Sequence, residues 1–192
     1  CNEIDLVTNY AQLRPQIITW HEQCAEWIGR FDQGHHLMTT NFANWTNDPG
    51  LLRLPLVSFT STNRYDLNVV LALEQIYAAK SSFNKPAIVV ETGADFKGSS
   101  PATTERYIPI CIWSSYMMPL AGSAMQWWWD FIDDRNLYSY FKALAEYARG
   151  EERRGQDLTM ASAQLVRGEE AAAELGVRCL KNNTKAYLWV YE

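Results

Sequence analysis

The chain has 192 residues, 47% hydrophobic and 20% charged, with a formal net charge of -5 at pH 7. That composition supplies a core for one domain, or for one domain and part of another, and it lacks the basic stripe a nucleic-acid binder needs. Four widely spaced cysteines, Cys1, Cys24, Cys111 and Cys179, form neither a zinc pattern nor a disulfide framework. No stretch reads as a signal peptide or a membrane span; the first absence carries no weight in a chain that reads as a fragment, and no membrane partner is expected. Eight Trp and ten Tyr exceed what a core of this size requires. Such rings either stack on sugars in a cleft or pack internally.

Taken in order, strand-like and helix-like segments alternate. Residues 1–7 read as a strand end and the loop beyond it, so an N-terminal part of the unit is expected to be missing. Pro15 suits the first turn of the next helix, where Ile17, Trp20, Cys24, Trp27, Ile28 and Phe31 recur at helical spacing and form one apolar stripe. Residues 36–42 are a second strand candidate, followed by a polar loop over 44–50. Residues 56–60 read as a third strand, 61–66 as its loop, and 67–79 as a helix. The run 85–91, entered through Lys85-Pro86 and left through Gly93, has the continuous apolar character of a strand buried on both faces. A helix begins near Pro101, is interrupted by Pro109 and stops before Pro119. A fifth strand is expected over 123–129 and a helix over 136–149. This rhythm implies parallel strands with helical crossovers.

The composition changes from Gly155. Residues 158–165 and 171–192 look like β structure, with 181–184 as a hairpin turn. Two units are therefore expected: 1–152, an α/β unit, and 153–192, the start of a β-rich, sandwich-like domain.

The chemistry centres on Glu3, in Cys1-Asn2-Glu3-Ile4-Asp5, and Glu91, at the end of its apolar strand. Two carboxylates at strand ends of one α/β barrel are the equipment of a retaining glycosidase. Other acids, Asp5, Asp95, Asp130 and Asp133, fall beside the expected mouth loops, where they either bind sugar hydroxyls or cap helices. His35-His36 lacks a third ligand nearby, so no metal is expected. Asn44-Trp45-Thr46 and Asn182-Asn183-Thr184 match the glycosylation sequon, a triplet frequent by chance.

These residues together resemble the large clan of retaining β-glycosidases built on TIM barrels, which includes cellulases, mannanases and β-galactosidases. Asn2-Glu3 resembles the Asn-Glu that ends the clan's fourth strand. Lys85-Pro86 through Glu91-Thr92-Gly93 resembles its seventh strand, whose terminal Glu is the nucleophile. Residues 122–130, with Trp127, Trp128 and Trp129, resemble its eighth, where a tryptophan floors the subsite beside the chemistry. The resemblance covers residues 1 to about 150.

It implies a partial (β/α)8 barrel, strands four to eight, with Glu3 as acid/base, Glu91 as nucleophile, Asn2 as a partner for the sugar 2-hydroxyl, and no cofactor. Tyr65 occupies the place of a sixth-strand tyrosine that hydrogen-bonds the nucleophile. The histidine of the clan's His-x-Tyr is absent, because the stretch here reads Asn63-Arg64-Tyr65. The implied partners are a carbohydrate substrate and the missing N-terminal half of the barrel. Secretion or surface display is expected if the parent acts on polysaccharide. A carbohydrate-binding barrel without turnover is the alternative. An esterase is disfavoured, because no Gly-x-Ser-x-Gly elbow is present.

Overall fold

The structure is a computed structural model and describes residues 1–44, 47–167, 170–171 and 175–192. The fold is mixed α/β: a parallel three-stranded sheet with alternating helices, then a three-stranded antiparallel sheet. After a single 3-10 turn, Ile4–Leu6, come α1 (Tyr10–Phe31), β1 (Asn41–Phe42), α2 (Pro49–Leu52), β2 (Thr60–Tyr65), α3 (Val69–Ser81), β3 (Ala87–Gly93) and α4 (Pro101–Tyr116). Then follow α5 (Trp129–Asp134), α6 (Tyr138–Ala148), β4 (Thr159–Ala161), β5 (Val166–Arg167), β6 (Glu170–Ala171), β7 (Gly176–Lys181) and β8 (Ala186–Tyr191).

The parallel sheet has the order β1-β2-β3. Backbone hydrogen bonds extend it on both sides. The Asn41 N–H donates to the Cys1 carbonyl at 2.9 Å, and beyond β3 Met125 and Trp127 donate to Val89 and Thr92 at 3.1 and 2.9 Å. The pairing of Thr92 with Gln126 is parallel. No closure into a barrel is seen among the described residues.

Helix starts follow local chemistry. The Asn68 side chain accepts the Leu71 N–H to start α3, and Ser100 caps α4 at Thr103 with Pro101 in the first turn. Pro109 does not break α4, contrary to the sequence reading. It removes one helical hydrogen bond, but Ile108, Cys111 and Ile112 beside it are at most 1% exposed, and their packing holds the turn. The main core joins α3, β3 and α4 through Leu73, Ile76, Val89, Tyr107 and Cys111. A second cluster seats Ile4 and Ile17 against Phe42, Leu51 and Leu52.

Several boundaries correct the sequence reading. β2 occupies Thr60–Tyr65, the stretch read as a loop, and the expected strand over 36–42 shortens to Asn41–Phe42. The strand expected over 123–129 keeps only its backbone pairing to β3, because Trp129 already begins α5. The apolar stripe of α1 is not a buried one. Ile17 is buried, but Trp20, Trp27, Ile28 and Phe31 are exposed, because only the Ile17–His21 line of the helix meets the sheet.

His21 makes that contact. Its Nδ1 lies 2.7 Å from the Ile17 carbonyl and its Nε2 lies 3.0 Å from Thr40 Oγ1. One neutral tautomer satisfies both, with Nδ1–H donating and Nε2 accepting from the hydroxyl. Burial lowers the imidazole pKa from 6.5, outweighing the hydrogen bond to Ile17 that raises it. A depressed histidine pKa gives stability that is present above the unfolded value and lost as pH falls through the folded one. Urea unfolding midpoints are therefore expected to drop between about pH 7.5 and pH 5, and His21→Gln is expected to flatten that slope.

The antiparallel sheet, order β4-β7-β8, docks on the helices of the first unit. Leu180 and Tyr187 pack on Met117, Arg178 pairs with Glu74 at 2.7 Å, and Arg153 donates to the Tyr116 carbonyl. The Asn182 side chain accepts the Thr184 and Lys185 N–H groups at 2.8 Å each, which makes the second sequon a hairpin turn. β5 and β6 form a separate two-stranded pair. Trp45 and Thr46 of the first sequon lie outside the described residues.

Candidate active site

β2 is polar on both faces, and this organises the site. Thr62 turns toward the loop after β1, its hydroxyl donating to the Asn44 carbonyl at 2.8 Å. Ser61, Asn63 and Tyr65 share the opposite face, by the two-residue period of a strand. On that face the Asn63 Nδ2 donates to Glu3 Oε1 at 3.0 Å, and the Tyr65 hydroxyl donates to Glu91 Oε2 at 3.0 Å. Same-face neighbours on one strand stand about 6.5–7 Å apart. Glu3 and Glu91, distant in sequence, are thus drawn to one short stretch of one sheet face.

Glu91 reaches that face through a β-bulge. Thr62 pairs with Val89, but Asn63 pairs with Glu91, so Val90 is an extra residue on β3. Without it Asn63 would stand opposite Val90. The bulge reverses the alternation, leaving Val89 in the helix-side core and sending Glu91 to the other side. Thr92 then faces the helices again, its hydroxyl 2.9 Å from that of Tyr107.

Tyr65 experiences both acids. Burial raises its phenol pKa well above the ordinary value, and the hydrogen bond to Glu91, the Glu91 charge and the Glu3 charge raise it further. The phenol therefore stays protonated and serves as a donor to Glu91. Glu3 has a left-handed backbone, φ 48° and ψ 48°, unusual for a residue with a long side chain. The side-chain bond to Asn63 and the following 3-10 turn hold it there.

Asn2 stands next to Glu3, its Oδ1 accepting from Asn41 Nδ2 at 2.8 Å. Trp128 lies against Gly93 and Gly98. A Cβ at Gly93 would sit 2.8 Å from Trp128 Nε1 and 3.1 Å from Tyr65 Cδ1, so both rings close over a position only glycine fits. The exposed Phe96 ring meets Tyr65 edge-on, with centroids 6.3 Å apart. Trp127 is exposed beside its backbone bond to Thr92.

Trp129 is placed elsewhere. It lines a cavity of about 850 Å³ with Ile112, Phe141 and Leu144, between α4 and α6. Trp127 and Trp129 are both exposed, because the chain leaves the extended conformation and turns into α5 at Trp129.

The four aspartates have local structural partners where bonds are seen. Asp5 accepts the Ala43 and Asn44 N–H groups, Asp95 the Lys97 N–H, and Asp133 the Tyr138 hydroxyl. Asp130 stands in the first turn of α5. His36 contacts Asp32, and no cluster of three metal-ligating side chains occurs among the described residues. No helix among the described residues is long and apolar enough to cross a membrane.

Two residues of this site were not singled out from sequence, Asn41 and Asn63. Asn63 was visible only as the residue standing where a histidine was expected. Asn41 carried no signal, since an asparagine after two threonines reads as a strand end. Comparison with protein-family models, with curated proteins and with solved structures finds no match to this chain.

Proposed function

We propose that the protein is a glycoside hydrolase that cleaves β-linked oligo- or polysaccharide with retention of configuration, built on strands four to eight of a (β/α)8 barrel. The observation that carries this reading is the pair of bonds from one face of β2, Asn63 to Glu3 and Tyr65 to Glu91. A retaining mechanism needs its two carboxyl groups about 5–5.5 Å apart across the scissile bond. Acids held by same-face neighbours of one strand face a common stretch of the sheet, which is the juxtaposition such a pair requires. On this reading the open sheet edges, at Cys1 and at residues 123–127, are where further strands of a barrel pair.

In the first step Glu91 attacks the anomeric carbon while Glu3 protonates the departing oxygen. The C–O bond to the aglycone breaks and a glycosyl ester forms on Glu91. In the second, Glu3, now ionised, takes a proton from water, whose oxygen attacks the same carbon and releases Glu91. The Tyr65 hydroxyl steadies the Glu91 carboxylate, Asn2 receives the sugar 2-hydroxyl, and the Trp128 ring provides a stacking floor. No cofactor takes part. Asn63 in the histidine position also suits a barrel that binds sugar without cleaving it, and one experiment separates the two.

The protein is incubated with 2-fluoro β-glycosides of gluco, galacto, manno and xylo configuration carrying a dinitrophenyl leaving group, and its intact mass is measured. One configuration is expected to add a single glycosyl unit to the peptide containing Glu91. Binding without labelling by any of the four would overturn hydrolysis in favour of recognition alone.

A further inference from the structure

We infer that Asn41 and Asn63 are positioning residues, a buried amide relay that locks Asn2 and Glu3 into one unit and assigns the proton-transferring oxygen of Glu3. This rests on the glycosidase reading. Asn63 is 0% and Asn41 5% exposed, so both amides act out of reach of bulk water. Asn41 pairs across the sheet with Ser61, which places it diagonally beside Asn63 on the same face. Asn41 Nδ2 donates to Asn2 Oδ1 at 2.8 Å and to Asn63 Oδ1 at 2.9 Å, and Asn63 Nδ2 donates to Glu3 Oε1 at 3.0 Å.

The direction of the relay is determined by these partners. Flipping Asn63 would turn its carbonyl oxygen onto a carboxylate and its NH2 onto another NH2. Flipping Asn41 would set its oxygen against two acceptors. The orientation is kept although Asn41 Oδ1 is left buried with no partner among the described residues. The two bonds from Asn41 Nδ2 outweigh the cost of that orphan acceptor. What the arrangement delivers is one N–H aimed at one oxygen of Glu3. With Oε1 engaged as an acceptor, the proton passed to the leaving group is carried on Oε2. The same donor chain holds the Asn2 carboxamide, so the group that meets the sugar 2-hydroxyl and the group that protonates the aglycone keep a fixed separation.

The relay acts only where proton donation matters, which gives the test. Alkyl β-glycosides need their leaving oxygen protonated, and dinitrophenyl glycosides do not. Asn63→Ala is expected to lower kcat/KM about 10²-fold on the alkyl substrate and less than about threefold on the dinitrophenyl one. Asn63→His, which offers a ring N–H at the same place, is expected to restore most of the alkyl rate. Equal losses on both substrates would overturn the proposal, since a merely structural role slows both alike. If Asn63→Ala does not fold, Asn41→Ala, one step removed, is expected to show a smaller loss with the same split, and equal losses there overturn it too.

A second readout does not depend on turnover. In ¹⁵N spectra of the protein, the side-chain NH2 signals of Asn63 and Asn41 are expected to shift together on Glu3→Ala. Unmoved signals would overturn the relay whatever the activity. Shifted signals with no cleavage of any glycoside would uphold the relay and remove the hydrolase reading.

Discussion

Replacing Glu91 by glutamine is expected to lower the release of a dinitrophenyl aglycone by about 10⁴-fold or more while leaving the fold intact. A carboxamide has nearly the volume of a carboxylate and still accepts the Tyr65 hydroxyl, which donates to Glu91 Oε2 at 3.0 Å. Packing at this half-buried position is therefore kept, and what disappears is the charged oxygen that attacks the anomeric carbon. The activated aglycone matters to the design, because it needs no proton from Glu3 and so isolates the nucleophilic step. Glu3→Gln on the same substrate should spare the first step and stall the second, where Glu3 activates water. Initial rates of both variants against the unmodified protein check the assignment. If Glu91→Gln releases aglycone at the rate of the unmodified protein, Glu91 is not the nucleophile.

How far the sequence carried the fold depended on where apolar patterning marked an element. β3 was legible because its apolar run is bounded by Lys85-Pro86 and Gly93, and Lys85 proves to cap the carbonyls of Leu52 and Leu54. α3 was legible as a helix over 67–79, and α4 from Pro101 at its start, although Pro109 does not interrupt it. β2 was not, because Thr-Ser-Thr-Asn-Arg-Tyr has no apolar alternation to mark a strand. On one face Thr62 bonds a loop carbonyl and Arg64 pairs with Asp66, and on the other Asn63 and Tyr65 bond carboxylates, so both faces are polar. The tryptophan run 127–129 misled for the opposite reason. Apolar character at Trp127, Trp128 and Trp129 reads as strand, yet pairing ends at Trp127 and the backbone coils into α5.

The site was legible as residue types, and its geometry was not. Glu3, Glu91 and Tyr65 were named from sequence, and the structure brings them to one face. What draws Glu91 there is the bulge at Val90, and a single inserted residue leaves no mark in a run of Ile, Val and Val. The relay through Asn41 and Asn63 was equally silent, since it depends on two amides from different strands meeting side by side. Long-range polar contacts of this kind are set by register, which a linear pattern records only when hydrophobic alternation fixes it.

Asp48→Ala is expected to cost about 3–4 kcal/mol of unfolding free energy, because it removes a buried carboxylate that caps one helix and pairs with another. The Asp48 side chain is 4% exposed and ties two elements together, α1 and α2. It caps α2 by accepting the Gly50 and Leu51 N–H groups, at 2.8 and 3.3 Å. It takes both Nε and Nη2 of Arg14, at 2.7 and 2.6 Å, and the Tyr10 hydroxyl at 2.5 Å. Because α2 has only four residues, its cap is a large share of what makes it a helix. Burial by itself would raise the Asp48 pKa, but Arg14, Tyr10 and the Leu51 N–H outweigh it and hold the carboxyl below 3.8. A depressed carboxyl pKa gives stability that is present above the unfolded value and lost as pH falls through the folded one. The gap between the unmodified protein and Asp48→Ala should thus be full at neutral pH and close progressively as pH drops below 3.8. Asp48→Asn keeps a capping oxygen and loses the charge, so it should fall between the two. Urea titrations of the three proteins at neutral and acid pH measure this. A loss for Asp48→Ala under about 1 kcal/mol would show that α1 and α2 are joined by their apolar contacts, Ile17 with Leu51 and Leu52, rather than by this carboxylate.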